Sequence, residues 1–420
     1  MIDPRIIQEI LDRADIVDVV SDSVDLKKRG STYEACCPFH SEKTPSFKVS
    51  PSRGTWHCFG SCQTGGNAIS FVMKDKNLTF VEAVKWLGHK CGVSVPDDYQ
   101  PSEEQQLLYL KREAMQVINA KLGDYFVQNL KSEEGKDALA YAVSRWGQEF
   151  VEEKGIGFAL DDYRAIPNYI HKTGLSVDLS LELGVIRKSE KGGYYGFYRN
   201  RLMIPIRDRY NQIVGFTARD LSGMDDTAKY LNSSNSDCYN KSETIFGLDV
   251  AIRQASKENI FYCVEGAPDV LRLQLIGHNN AIAPLGGNWT EKQLESIKRY
   301  ASKLCFIPDS DPVKDGQKFG PGMSYVRKHG RLAVKMGYTV LVREIPLAEG
   351  GGKQDADSFF TDKGKWNLVD EEDFIIWYAK GSFANITTTE DKSEAIKDVA
   401  EMLAMLNDPI KEGMYLEQLN

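Results

Sequence analysis

"NIFYCVEGAPDVLRLQLIG", residues 259–277, joins an apolar run to a helical pattern through an acidic, glycine-containing turn. The run Ile260–Val264 reads as a strand buried on both faces, with Glu265 at its carboxyl end. The same grammar repeats downstream. "AIAPLGG" (281–287), "KLCFIPDSD" (303–311) and "YTVLVREIP" (338–346) read as strands. "TEKQLESIKRYAS" (290–302) and "SYVRKHGRLAVKMG" (324–337) read as the helices between them. Strands and helices alternating in this way predict a parallel sheet covered by helices. In open sheets of this kind, ligands bind beyond the carboxyl ends of the strands.

Those ends are acidic. Glu265 ends the first strand, Asp269 opens the next helix, and Asp309 and Asp311 end a later strand. "GGKQDADSFF" (351–360) adds Asp355 and Asp357 beyond another. Any one acid in such a place is most simply a turn or helix-cap residue. Glu265 and the Asp-x-Asp pair together can converge on one point. Hard carboxylate oxygens suit Mg²⁺, which keeps water and bridges to substrate phosphates. Two such ions can activate an attacking hydroxyl and stabilise a leaving pyrophosphate. The chain has no GxxxxGK[ST] loop, so a P-loop ATPase is not indicated.

A second constellation lies near the N-terminus. "CCPFHSEKTPSF" (36–47) and "WHCFGSCQTGG" (56–66) supply Cys37-x2-His40 and, after 17 residues, Cys58-x3-Cys62. Three thiolates and one imidazole on two short turns are a tetrahedral zinc set. Four protein ligands leave no position for substrate, so the ion is expected to be structural, helping a small unit to fold. The alternative is four ordinary buried residues, which two ligand pairs at this spacing disfavour. Cys36 and His57 are expected to be non-ligands.

The rest of the chain frames these sites. Residues 5–20 carry apolar positions at helical spacing, and residues 33–60 read as a small β-rich unit. "AISFVMKDKNLTFVEAVKWLG" (68–88) reads as two short helices, "GVSVPDDYQPSEEQQ" (92–106) as a linker, and residues 103–145 as helical. "YYGFYRNRLMIPIRDRYNQIVGFTARDL" (194–221) reads as paired strands about the turn "DRYNQ". The 420 residues carry a net charge of −8, which by itself argues against a nucleic-acid partner. The distribution alters that conclusion. Residues 349–420 hold 16 acidic and 7 basic side chains, whereas residues 187–241 hold 10 basic and 6 acidic ones. A phosphate-binding surface needs local positive charge, although the same residues could be a solvated face. No apolar run approaches the ~20 residues that span a bilayer. The acidic, amphipathic N-terminus does not read as a signal peptide, so a cytoplasmic location is expected.

In this order the motifs resemble the bacterial-type DNA primase family. "CPFHSEKTPSF", "HCFG" and "GGNAISFVM" are similar to its CHC2-type zinc-binding domain; "RNRLMIPIRD", "IVGFTARD" and "AKYLNS" to its basic catalytic subdomain. "VEGAPDV" and "IPDSD" are similar to its Toprim domain, the metal-binding fold shared with topoisomerases. The likeness covers most of residues 1–361 and, more weakly, the helical tail. It implies an α+β and α/β multidomain chain: a zinc-ribbon-like domain (1–98), a linker (99–110), a mixed α+β basic subdomain (111–255), a Toprim parallel-sheet domain (256–362) and C-terminal helices (363–420).

The resemblance also implies an RNA polymerase that starts primers de novo from NTPs on single-stranded DNA, with one structural zinc and catalytic Mg²⁺ or Mn²⁺. Glu265, Asp309 and Asp311 would be catalytic, and the magnesium-binding set would comprise these three with Asp269, Asp355 and Asp357 close by. Arg145, Arg201, Arg219, Lys229, Asn232 and Lys241 would contact template or nucleotide. A replicative helicase is a candidate partner, although no helicase-interaction domain is evident. That suggests a phage, plasmid or mobile-element primase, or a truncated chain. The x3 spacing around Ser61, the Gly- and Pro-containing loop "DPVKDGQKFGPGM" (311–323) and "EGAPD" depart from the family pattern. Two other readings are a Toprim nuclease or topoisomerase relative, and a non-catalytic single-stranded-DNA-binding regulator of replication. The zinc set and "AKYLNS" disfavour the first, and the retained acids disfavour the second.

Overall fold

The computed structural model describes residues 4–96, 103–209, 211–224, 226–313, 317–384 and 386–419. The N-terminal unit is a five-stranded antiparallel meander, Lys27–Arg29 through Gly65–Asn67 in sequence order. The amphipathic stretch 5–20 forms two helices, Pro4–Arg13 and Ile16–Ser21. Asp15 breaks them apart by capping the second, accepting from the Val17 and Asp18 amides. Helices Ala68–Asp75 and Phe80–Cys91 complete a core in which Phe47 stacks on Trp56 at 5.3 Å, beside Phe71. This aromatic cluster is modest in size, as expected of a unit that a metal completes.

Of the expected linker, residues 99–102 lie outside the described residues and 103–110 are helical. They start the 28-residue helix Glu103–Leu130, and Tyr109 there receives a 2.7 Å hydrogen bond from the Asn67 amide. The single helical stretch expected over 103–145 is interrupted at Ser132, whose hydroxyl bonds to the Asn129 carbonyl at 2.7 Å. The chain resumes as Lys136–Trp146. The paired strands about 208–212 are Arg201–Arg207 and Ile213–Asp220, antiparallel, with a register shift between Ile213 and Gly215. Within that turn Tyr210 lies outside the described residues. Tyr230–Asn232 and Gly157–Ala159 flank the pair in a four-stranded sheet.

The alternating segments form the expected parallel sheet, in the order Ala281–Pro284, Ile260–Cys263, Lys303–Phe306, Thr339–Val342. Two short antiparallel strands not foreseen from sequence, Ile245–Phe246 and Glu372–Asp373, cover its edges. The expected boundary at 255/256 is not a break in packing. One core runs from Leu130, Phe158 and Ile204 to Val264, Val270 and Ala283. The acidic tail is helical, Phe374–Phe383, Thr389–Ala404 and Pro409–Leu419. It docks through Asp398, which pairs with Arg327 at 2.6 Å and Arg331 at 2.8 Å on helix Pro321–Lys335. Among the described residues no helix is long and apolar enough to cross a membrane.

Candidate functional site

The turn after strand Thr32–Ala35 carries Cys37 and His40, and strand Thr55–Cys58 ends in Cys58 with Cys62 beyond it. Their ligand atoms all lie within 4.8 Å of one another. Cys37 Sγ is 3.6 Å from Cys62 Sγ, and Cys58 Sγ is 3.8 Å from His40 Nδ1. Zn–S bonds of about 2.3 Å set a tetrahedron with edges of roughly 3.8 Å, so the donors fit zinc. Burial pushes the Cys37 thiol up to about 12, so an ionised sulfur there needs a cation beside it. The Phe39 and Gly60 amides donate to the Cys37 and Cys58 sulfurs at 3.4 and 3.3 Å. Glu42 receives His40 Nε2 at 3.0 Å, leaving Nδ1 to face the sulfurs.

The longer second knuckle is absorbed locally. The Gln63 amide closes a turn onto the Gly60 carbonyl at 3.3 Å, taking up Ser61. A Cβ on Gly60 would fall 2.5 Å from Ser46 Oγ and 2.8 Å from His40 Nε2, so only glycine fits under the ligand shell. Cys36 is exposed and outside the set. His57 is driven down to about 4 by burial and then Lys121, and it faces a cleft instead.

In the parallel sheet, Cys263 pairs with Phe306, so the acidic ends of these two strands are neighbours. The Asp309 amide donates to Glu265 Oε1 at 3.2 Å. Burial, and then the Asp309 charge, push Glu265 up to about 7, and Asp309 is raised by its own burial. Gly322 allows helix Pro321–Lys335 to abut this turn: a Cβ there would lie 1.9 Å from the Asp309 carbonyl oxygen. Ser310 and Gln354 exchange backbone hydrogen bonds of 2.8 and 2.9 Å, bringing the 353–357 segment alongside. Lys353, which sequence reasoning missed, places its ammonium 2.8 Å from Asp309 and 3.1 Å from Asp311. Its signal was the "GGKQDAD" spacing.

The remaining acids have partners of their own. Asp269 is buried and accepts from the Gly266 and Asp357 amides at 3.1 and 3.0 Å, capping helix Ala267–Leu275. Asp355 caps Ala356–Phe359 by accepting from the Ser358 amide at 2.8 Å. The Asp357 carboxylate is only 1% exposed and ion-paired with Arg145 and, at 3.0 Å, with Arg272. Both Asp357 oxygens thus face guanidinium groups, unlike those of Asp309 and Asp311.

The basic residues divide in the same way. Arg201 is buried, donates to the Ala218 and Ala228 carbonyls at 3.2 and 2.9 Å, and pairs with Asp220 at 3.4 Å. In this structure it pins strands together from inside the sheet. Arg145 is held by Asp357 and by the Tyr141 hydroxyl, leaving little of its fork for a ligand. Arg219 lies between the rings of Tyr141 and Tyr230, 5.3 and 5.4 Å from their centroids, with one nitrogen bonded to the Tyr230 hydroxyl. Asn232 donates to the Leu285 carbonyl at 2.6 Å, tying the antiparallel sheet to the parallel one. Lys229 is exposed, and its charge helps lower Asp355. Lys241 is half-buried on the loop that donates to Asn235.

Comparison with known proteins agrees with the zinc set. Residues 2–103 match the CHC2 zinc finger family and residues 125–252 the N-terminal domain of the DNA primase catalytic core. A DNA primase of Clostridium acetobutylicum is 33% identical over 99% of this chain and 67% of its own length. The chain belongs to the DNA primase family. A Listeria innocua DNA primase is also 33% identical, over 99% of this chain, which spans 66% of that relative. The crystal structure of the Aquifex aeolicus primase, comprising zinc-binding and RNA polymerase domains, superposes with a TM-score of 0.65 at 27% identity, covering 99% of this chain and 96% of that one. Membership in the primase family and the Cys3His geometry together make the zinc structural.

Proposed function

We propose that this chain synthesises RNA primers from NTPs on single-stranded DNA, with Glu265, Asp309 and Asp311 as the centre of the reaction. The observation that carries the proposal is the meeting of Glu265 and the Asp309-x-Asp311 pair at two adjacent parallel strand ends, beside a segment of opposite charge. Asp309 and Asp311, with Asp355 alongside, would hold Mg²⁺ or Mn²⁺. When bound, such an ion supplies positive charge to the triphosphate. Their looser arrangement suits a metal that keeps several waters and completes its shell with phosphate oxygens.

The chain's own groups account for the rest. Glu265 is poised near neutrality. It can accept the proton of the attacking 3′-hydroxyl or orient that hydroxyl. The hydroxyl oxygen bonds to the α-phosphorus in line as pyrophosphate leaves with the electron pair of the broken bond. Arg219, clamped between two tyrosines, and the exposed Lys229 would bind phosphates of template or nucleotide. Asp269, Asp357 and Arg145 would position this machinery through their mutual contacts. The test is RNA synthesis from NTPs on single-stranded DNA with Mg²⁺ or Mn²⁺, comparing the parent with Asp309→Ala. Full synthesis by the variant would place the active site elsewhere.

A further inference from the structure

We infer that Lys353 is a built-in counter-ion of the acidic cleft, competing with the divalent ion for Asp309 and Asp311 and turning to the triphosphate once displaced. The inference rests on the metal-site reading above. Its geometry is direct. One ammonium nitrogen lies 2.8 Å from Asp309 Oδ2 and 3.1 Å from Asp311 Oδ1, so it takes the point where these oxygens converge. An ion bonded to the same oxygens at about 2.1 Å would lie too close to a second cation to share the site. Among the described residues, no other cationic side chain is ion-paired to either aspartate.

The backbone holds the lysine to this place while its side chain stays free to leave. Gln354, the next residue, is fixed to Ser310 by hydrogen bonds in both directions. The preceding turn is closed by bonds between Ala348 and Gly351 or Gly352, with Gly350 and Gly351 at φ of +84° and +81°. The Lys353 side chain is itself 55% exposed, against 13% for each aspartate. A compact ammonium on a flexible stem, open to solvent on one side, can swing out along the route by which a polyanion arrives. Exchanging carboxylates for phosphate oxygens would then keep the ammonium paired throughout.

The experiment titrates the zinc-loaded protein with Mn²⁺ alone, reading the free ion by its electron paramagnetic resonance signal. The Asp309→Asn/Asp311→Asn double variant should lose this binding. If it binds Mn²⁺ like the parent, the metal-site reading itself fails. With that control in place, Lys353→Met should bind Mn²⁺ about two- to five-fold more tightly, the magnitude of one part-exposed ion pair. Lys353→Arg should stay near the parent. Mn²⁺ affinity in Lys353→Met that equals or falls below the parent's overturns the competition. At saturating metal, Lys353→Met should raise KM for NTP more than it lowers kcat, and an unchanged KM overturns the hand-over to phosphate. A near-parental unfolding temperature in both Lys353 variants shows that the comparison is between folded proteins.

Discussion

The zinc set and the acidic cleft are both clusters of metal-type ligands, and they are built on opposite plans. The zinc ligands come from two turns of one small sheet, lie within 4.8 Å of one another and have their outer bonds filled by Glu42, Phe39 and Gly60. The cleft draws Glu265, Asp309 and Asp311 from two parallel strand ends and meets its excess charge with the half-exposed Lys353. Among the described residues only the zinc set closes this tightly. A closed set serves stability, because nothing can enter it. An open set must leave coordination positions for water and substrate.

The largest expected effect tests the closed half of this contrast. Structural zinc contributes about 10–16 kcal/mol in zinc-finger peptides, a scale comparable to the whole stability of a domain. Cys62→Ser should lose stoichiometric zinc by elemental analysis and open the first 96 residues to proteolysis. Cys36→Ser should retain both. Zinc held at one equivalent by Cys62→Ser would remove Cys62 from the ligand set.

The open half should fail differently, in rate and not in fold. Asp309→Ala should lower primer synthesis by at least about 10²-fold, the scale for removing one preorganised charge-stabilising group. Its unfolding temperature should stay near the parent's. Its affinity for single-stranded DNA should be equal or higher, since a negative charge has left the cleft. Joint loss of activity and fold would make the cleft a structural site like the zinc set.

The cleft should also reveal itself in pH. Glu265 is raised from the usual carboxylate range to about 7 by burial, then by Asp309; Asp311 adds to this, while Lys353 and the Asp309 amide oppose it. A carboxyl group raised in the fold gives stability that is fully present below pH ~4.5 and is lost as pH rises to about 7. In magnesium-free buffer the parent should therefore lose up to about 1.4 kcal/mol per pH unit from this group across that window. Glu265→Gln should flatten the slope, as measured by denaturant unfolding at several pH values. Identical slopes would show that Glu265 is not the group responsible.

The smallest effect concerns the basic face. Lys229→Ala should weaken DNA binding for all sequences alike and reduce the log–log salt slope by about one. Unchanged salt dependence with altered sequence preference would mean that Lys229 reads bases.

The same contrast explains what could be read from the sequence. The zinc set was legible because its ligands are spaced by local turns, and spacing is what a sequence displays. The parallel sheet and its acidic ends were legible because apolar strands and helices alternate. Arg201 was named by position within a resemblance, and position alone cannot see that its fork ends on Asp220 and two carbonyls inside a sheet. The ion pairs of Asp357 were hidden because its partners lie 85 and 212 residues away along the chain. Lys353 stood in plain view next to the acids, but only the Ser310–Gln354 bridge turns it onto them.

The Arg145–Asp357–Arg272 knot bears on how such a chain can be taken apart or recombined. Arg272 Nη2 also donates to the Arg145 carbonyl at 2.8 Å, so helix Lys136–Trp146 is clasped to the parallel sheet at its main chain as well as its side chain. Removing Arg145 would leave the 1%-exposed Asp357 carboxylate with Arg272 as its remaining cation. A parallel-sheet segment excised at residue 256, or grafted from another chain, would keep the Asp357–Arg272 pair but lose Arg145, the second cation of the knot, and with it the carbonyl that Arg272 Nη2 bonds. The two halves are therefore joined by charge as well as by a shared apolar core, whereas the N-terminal unit has a core of its own and meets helix Glu103–Leu130 through Asn67 and Tyr109.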